Sequence, residues 1–475
     1  MIKDFFNILL PQACLIFFIF LELFLALLNH SKKIILAETI SLVGIFLSIL
    51  LLTTVQVEPQ YFGLHGAIMS DSYTSLFSFI ILLCGFFITL ITGNLMKNLN
   101  SNPFTFQAIL LTGLLGAMNT VGANDFITLF ISLELLSFPI YFLIASANGY
   151  HSKEASFKYL ITNAISSGIF LFGVSYLYGI SSSLNLSEIY AFITEQEASI
   201  MYTLSSILII LGLFAKLAIF PFANWIVDVF KGTESSILAF ISTIPKLALF
   251  GILCRLLVFP LSGSLELTFV IAILAIITAT WANSYAIKEN NVKAIFACSS
   301  SANMAYILLA SSLVSVYNLS TVIFYLICYA LMNITVFSFL NIAELNNIGM
   351  KIDDYKNLFS KNLSTTVMYS IAVIGLAGFP ITSGFVAKIY LFSAIAHSGL
   401  IFIPFLIILL LLTVIAVYYY LKIILPIFQQ SNNEKKLIIL DSQKIVLLIT
   451  TITTIAIGIY PEKLIELCRF IAYNI

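Results

Sequence analysis

Two nine-residue stretches, GLFAKLAIF (212–220) and GFVAKIYLF (384–392), each set a lysine at the centre of apolar sequence, with the same glycine, alanine and phenylalanine around it and the lysines 172 positions apart. Glu134 in LFISLELLSFPIYFL and Lys246 in STIPKLALFG occupy comparable surroundings, as does Lys422 further along. A charge at mid-bilayer depth costs about 2.5–3.5 kcal/mol on insertion scales, so such groups pair with one another or line a wet path. The chemistry open to them is the binding and release of protons. Burial and a neighbouring carboxylate act in opposite senses on a lysine's proton, so a modest change in separation from Glu134 is expected to switch Lys216 between charged and neutral. The competing reading is a fixed Glu134–Lys216 ion pair between helices. Desolvation makes such pairs weak stabilisers, and an array of Glu134, Lys216, Lys246, Lys388 and Lys422 suits a proton conduit better.

The elements that must position these groups follow from composition. Of 475 residues, 60% are hydrophobic and 9% charged, with a mean hydropathy of +1.07, outside the range of soluble domains. A spanning helix needs about 20 apolar residues, and fourteen such segments are expected, centred near residues 17, 45, 84, 113, 136, 166, 212, 247, 275, 303, 329, 380, 414 and 452. Backbone groups in lipid must bond within their own segment, so these read as helices. Lysines alternate strictly between connections. Lys32, Lys33, Lys97, Lys153, Lys231, Lys288, Lys293, Lys351, Lys356, Lys361, Lys435, Lys436 and Lys444 all follow odd-numbered spans, whereas even-numbered connections such as VEPQYFGLHG carry no lysine or arginine. Positive charge stays on the cytoplasmic side, which places both termini outside. The first segment contains Glu22 and lacks a cleavage signature, so it reads as a retained helix rather than a signal peptide. Zero formal net charge and the lack of a basic tract argue against nucleic acid. Six scattered cysteines without CxxC argue against disulfides and iron–sulfur ligation. No side-chain spacing suits a metal.

The lysine nonapeptides lie five spans apart, and an odd number of spans reverses direction through the membrane. Lys246 and Lys422 are offset by 176, and Glu134 maps with an offset of 169 onto Asn303. Spans 4–8 and 9–13 therefore read as two oppositely oriented five-helix units, a transporter pattern. Both lysine spans carry helix breakers: Pro221 in KLAIFPFANW, and Gly375, Gly378, Pro380 and Gly384 in GLAGFPITSGFVAK. Weaker candidates are Glu22, expected to face a partner protein, and Glu154, expected to pair with Lys158 four residues on. Asp228, Arg255, His65, His151 and His397 are placed near helix ends or in loops. Tyr418, Tyr419 and Tyr420 read as interfacial or packing aromatics. The tail from Pro461 is expected to lie at the interface.

Over nearly its whole length the chain resembles the N subunit of the proton-translocating NADH–quinone oxidoreductases, one of the antiporter-like subunits related to multi-subunit sodium/proton antiporters. The resemblance rests on LELLSFPIYFLIA, KEASFKYLITNAISSGIFLFGVSYLYG, FAKLAIFPFANWIVDVFKG, STIPKLALFG, NVKAIFACSSSANMAYILL and LAGFPITSGFVAKIYLF. A lysine rather than a glutamate at 388 favours the N type over the M type, and the lack of a long carboxy-terminal lateral helix argues against the L type. The resemblance implies an all-α polytopic membrane protein of about fourteen transmembrane helices, with two inverted five-helix repeats (spans 4–8 and 9–13) and broken spans 7 and 12. It implies roles for Glu134 and Lys216 as a charge-modulated pair, Lys246 as a relay and Lys388 as the terminal proton-handling lysine, with Lys422, Asn303 and Glu154 as secondary path candidates, and half-channels joined by a polar axis. Two departures stand out. Asn303 occupies the place of a family histidine in SSSANMAY, and Ala223 that of another in FPFANW.

The expected segments are 1–100 (three N-terminal helices), 101–260 (first repeat), 261–430 (second, inverted repeat) and 431–475 (last helix and interfacial tail). No cofactor is expected on this chain, whereas NADH, FMN, iron–sulfur clusters and quinone are expected in partner subunits, driven chemistry there supplying the energy. The implied partners are the M-type and the small K-, J- and A-type membrane subunits, and the implied location is a bacterial plasma membrane. Two other classes stand beside this reading: a subunit of a cation/proton (Na+/H+) antiporter, and a membrane scaffold that transports nothing.

Overall fold

A computed structural model describes residues 9–28, 33–54, 61–93, 95–98, 102–147, 149–195, 200–261, 265–429 and 437–474. Lys32, Lys435 and Lys436 and the expected segment boundaries at 100/101 and 430/431 lie outside those residues. The described chain is nearly all helix, and 12 helices are long and apolar enough to cross a membrane by length and composition. The other two expected spans, the seventh and twelfth, are each interrupted and appear as pairs of shorter helices. Within VEPQYFGLHG and the residues after it the sequence reading missed a small antiparallel hairpin, β1 (Tyr61–Gly63) with β2 (Ile68–Ser70). Left-handed Leu64, His65 and Gly66 turn the chain there, a conformation that only Gly66 signals in sequence.

The chain forms two compact units. Unit 1 is Met1–Leu217, Ile244–Phe269 and Tyr473–Ile475. Its helices are α1 (Leu10–Leu28), α2 (Ile34–Leu52), α3 (Ser72–Thr92), α4 (Leu95–Asn98), α5 (Pro103–Gly122), α6 (Phe126–Ala145), α7 (Tyr150–Ser181), α8 (Leu186–Glu195) and α9 (Ile200–Lys216). Unit 2 is Ala218–Thr243 and Val270–Ala472. It holds α10 (Asn224–Gly232), the start of α11 (Ser235–Val258) and most of α12 (Leu265–Lys288), the rest of these two helices belonging to unit 1, then α13 (Val292–Ser312), α14 (Val316–Leu345), α15 (Leu358–Lys361), α16 (Leu363–Ala377), α17 (Ser383–His397), α18 (Ile403–Ile424), α19 (Asp441–Ile459) and all but the last residue of α20 (Glu462–Tyr473).

Helix starts are written in side chains that can accept an orphan amide. Asp71, Asn102 and Asp125 do so for α3, α5 and α6, and Asn291, Ser315 and Asn362 for α13, α14 and α16. Close backbone approach fixes the packing inside unit 1. A Cβ on Gly116 of α5 would stand 2.5 Å from the Leu136 amide nitrogen of α6, and one on Gly173 of α7 would stand 2.7 Å from Ile209 N of α9. Ser166 Oγ of α7 also donates to Gly212 O of α9 at 2.6 Å. Most apolar residues of α1 and α2 are partly or fully exposed, whereas every residue of α13 is buried. Such outward apolar surface suits a lipid surround, in which the backbone is satisfied within each helix.

Candidate functional site

In unit 1, α6, α7 and α9 converge on Lys216, the last residue of α9. Its ammonium lies 3.4 Å from Glu134 Oε1 and donates to Ser137 Oγ at 3.3 Å and to Asn163 Oδ1 at 3.1 Å. Glu134 accepts a short bond, 2.5 Å, from Ser167 Oγ. The Lys216 side chain is 5% exposed and that of Glu134 19%. Ser137 stands one turn from Glu134, and Asn163 and Ser167 stand one turn apart, so each helix presents two polar groups on one face. The sequence reading named Glu134 and Lys216 but missed Ser137, Asn163 and Ser167. Their spacings of three and four within apolar helices were the available signal.

In unit 2, the end of α16 accounts for its own carbonyls. Gly378, left-handed at φ +89, lets Gly378 N donate to Gly375 O at 2.9 Å and Phe379 N to Ile374 O at 3.2 Å, the paired closure of a glycine-terminated helix. That leaves Leu376 O and Ala377 O, and Lys388 Nζ, reaching back from α17, donates to both at 2.9 Å. The negative end of the α16 dipole thus meets an ammonium, which also lies 5.9 Å from the centroid of the Tyr306 ring. Pro221, Gly378 and Pro380 fall within the two interruptions. Gly384 does not: it is the second residue of α17, and a Cβ there would run into Gly375 O, so its role is close backbone approach rather than a break. The two lysines differ in place, since Lys216 precedes its break and Lys388 follows its own. At the first interruption, Phe220 N is satisfied by Thr278 Oγ1 at 3.0 Å, a partner no local pattern announces.

Lys246 is 4% exposed and follows Pro245 inside α11. Lys422 is not placed with Lys388. It sits in the last turn of α18 and donates to Ile287 O at 3.1 Å and Glu289 O at 2.8 Å, capping the end of α12. Asn303 belongs to a hydroxyl network that the sequence reading missed. Tyr325 OH donates to Asn303 Oδ1 at 2.7 Å, Asn303 Nδ2 donates to Tyr420 OH at 3.4 Å, and Tyr420 OH lies 2.5 Å from Ser299 Oγ. Tyr419 and Tyr420 are each 1% exposed and only Tyr418 faces outward, so the three tyrosines are not interchangeable interfacial rings.

Two further expectations change. Glu22 does not face outward: it is fully buried and accepts from Ser41 Oγ of α2 at 2.9 Å. Arg255 is not water-accessible but 1% exposed, with Nη2 2.5 Å from Asp71 Oδ2. Its carboxylate lies 184 residues away in sequence, which is why no local reading finds it. Glu154 pairs with Lys158 at 2.8 Å on the exposed start of α7. Ala223 ends the first interruption, immediately before α10. All six cysteines are free, and among the described residues no group of three or more His, Cys, Asp or Glu is placed to hold a metal.

The two lysine sites differ in what proton loss would do to them. An ammonium has three donors and a neutral amine two. Lys216 uses three, to Glu134, Ser137 and Asn163, so its neutral form must give up one contact. Lys388 uses two, both kept by a neutral amine. Loss of a proton therefore reshapes the Lys216 site and leaves the Lys388 pose intact.

Residues 123–416 match the family described as NADH:quinone oxidoreductase/Mrp antiporter, TM. The chain is 33% identical over 375 residues to NADH-quinone oxidoreductase subunit N of Bacillus anthracis, covering 75% of this chain and 74% of that protein. Its fold is similar to a chain of respiratory complex I from Thermus thermophilus (TM-score 0.82, 23% identity, 96% of this chain and 98% of that one). It is also similar to a chain of the Mrp complex from a Dietzia species (TM-score 0.87, 18% identity, 98% and 97%).

Proposed function

This chain belongs to the NADH:quinone oxidoreductase/Mrp antiporter family, and from that premise we propose that it is the N-type membrane-arm subunit of an NADH–quinone oxidoreductase, carrying protons across the membrane on Lys216, Lys246 and Lys388. The chain is a multi-pass membrane protein without a redox centre of its own role; NADH, FMN, iron–sulfur clusters and quinone belong to partner subunits, and the M-type and small K-, J- and A-type subunits are its membrane neighbours. Its location is a bacterial plasma membrane, and the alternating lysines support an orientation with both termini outside.

The observation that carries this reading is the Lys216 site, where one ammonium is shared among Glu134, Ser137 and Asn163. Two unit charges about 4 Å apart interact by roughly 4 kcal/mol at an effective dielectric of 20, and by about half that at twice the distance. Opening the Glu134–Lys216 pair therefore changes the ammonium's electrostatic support by an amount that a conformational step can supply. The proton departs as that support weakens, and one hydrogen bond is released with it. Lys246 serves as a buried relay, and Lys388 holds its proton at the end of α16 until an acceptor arrives.

Replacing Lys216 with alanine, or Glu134 with glutamine, is expected to at least halve proton uptake in membrane vesicles respiring on NADH. Pumping equal to wild type in both variants would instead favour a scaffold. Sodium-dependent transport without NADH oxidation would favour the antiporter reading.

A further inference from the structure

The lysine-rich end of unit 2 holds titratable side chains that the sites above do not use. Glu234 precedes α11, and its carbonyl accepts from Ile237 N and Leu238 N at 3.0 Å. Glu344 stands near the end of α14, and Lys293 is the second residue of α13. Lys293 pairs with Glu344 and donates to Thr233 O at 2.6 Å, and Glu344 Oε2 accepts from Ser235 N at 2.9 Å. Glu234 immediately precedes Ser235, whose amide the Glu344 carboxylate holds, which brings the two acids together.

Three charges of uneven sign thus meet where the Lys293 side chain is 7% and that of Glu344 16% exposed. With both acids ionised, one lysine leaves a net negative charge, and adjacent carboxylates resist joint ionisation. Burial, then Glu344, push the Glu234 carboxyl up to about 7, and Lys293 offsets part of this. On the turn after α14, Tyr355 stands near Glu344, Tyr369 and Asp354, and burial keeps its phenol protonated. Two independent features point to a mobile proton. Ser235 Oγ and Ser236 Oγ, both fully buried beside the pair, have no hydrogen-bond partner among the described residues. Further along α13 from Lys293 come buried Ser299, Ser300 and Asn303, tied to Tyr420, Tyr329 and Tyr325.

We propose that Glu234 and Glu344 form a proton-loading pair at the lysine-rich mouth of unit 2, oriented by Lys293, which takes up the protons that unit 2 translocates. This rests on the translocation reading above. The shared proton sits between the two carboxyl groups, leaves toward the α13 hydroxyls, and is replaced from the aqueous side.

The test is NADH-driven proton uptake by vesicles carrying the assembled complex, followed from about pH 6 to pH 9, for wild type, Glu234→Gln, Glu234→Asp and Lys388→Ala. Without the pair, uptake becomes limited by proton supply at lower pH, so in Glu234→Gln the pH of half-maximal pumping is expected to fall by about one unit, and Glu234→Asp to restore it. A Glu234→Gln profile that superimposes on wild type, or falls evenly at every pH, overturns the proposal. If Glu234→Gln does not assemble, infrared titration of the wild-type and Glu234→Asp complexes decides. A carboxyl band titrating near neutral pH whose frequency differs between the two supports the pair, and no such band overturns it. Lys388→Ala separates the two levels, because undiminished pumping in that variant sinks the translocation reading, whereas a loss there with an unshifted Glu234→Gln profile sinks the loading pair alone.

Discussion

Single side chains in this protein are held by donor counts as much as by charge. Lys216 spends all three N–H groups on three different side chains, and Lys388 spends two on the carbonyls that the end of α16 leaves open. The Glu134, Lys216, Lys246 and Lys388 positions were legible because a charge in an apolar run is conspicuous. Asn163, Ser167, Tyr325 and Tyr420 were not, because a neutral polar side chain in a membrane helix is unremarkable until its partner on another helix is known. Glu234 also yields a residue-scale stability prediction. Its carboxyl is raised in the folded chain, so between about pH 4.5 and 7 the folded state keeps a proton that the unfolded state loses. Folding stability therefore declines as pH rises through that window and levels off above it. Glu234→Gln is expected to flatten this decline in thermal unfolding of the detergent-solubilised protein; an identical slope in both proteins would contradict it.

Among the elements, the two interrupted helices do the positioning. Proline and glycine in the sequence announced both interruptions, but not which glycine did what. Gly378 supplies the left-handed turn and lies against the Lys388 side chain, whereas Gly384 lets α17 approach the Gly375 carbonyl. A glycine needed for proximity looks the same in sequence as one needed for a turn, since both answer to the missing Cβ. Gly384→Ala is expected to destabilise by about 1–3 kcal/mol through overpacking against backbone, read as a lowered unfolding temperature, and to reduce proton pumping by shifting α17 and the lysine it carries. Unchanged stability and pumping would show that α16 and α17 can separate freely. The lysine nonapeptides that suggested a repeat match in residue type, yet one lysine ends the helix before its break and the other follows its break. Similar chemistry has been placed on different sides of the interruption.

At the level of the whole molecule, hydropathy and the alternation of loop lysines made a polytopic helical membrane protein readable before any coordinates. Length and apolar content set each span by a strong physical constraint, the thickness of the hydrocarbon core. What the pattern could not give was the hairpin of β1 and β2 or the Arg255–Asp71 pair, because both depend on partners chosen by the folded chain. The central claim is that buried lysines carry the translocated protons, and it is tested most directly by the number of protons taken up per NADH oxidised in vesicles whose complex carries Lys388→Met. The expected result is a ratio clearly below that of wild type, with the variant complex assembled. An unchanged ratio would contradict the account.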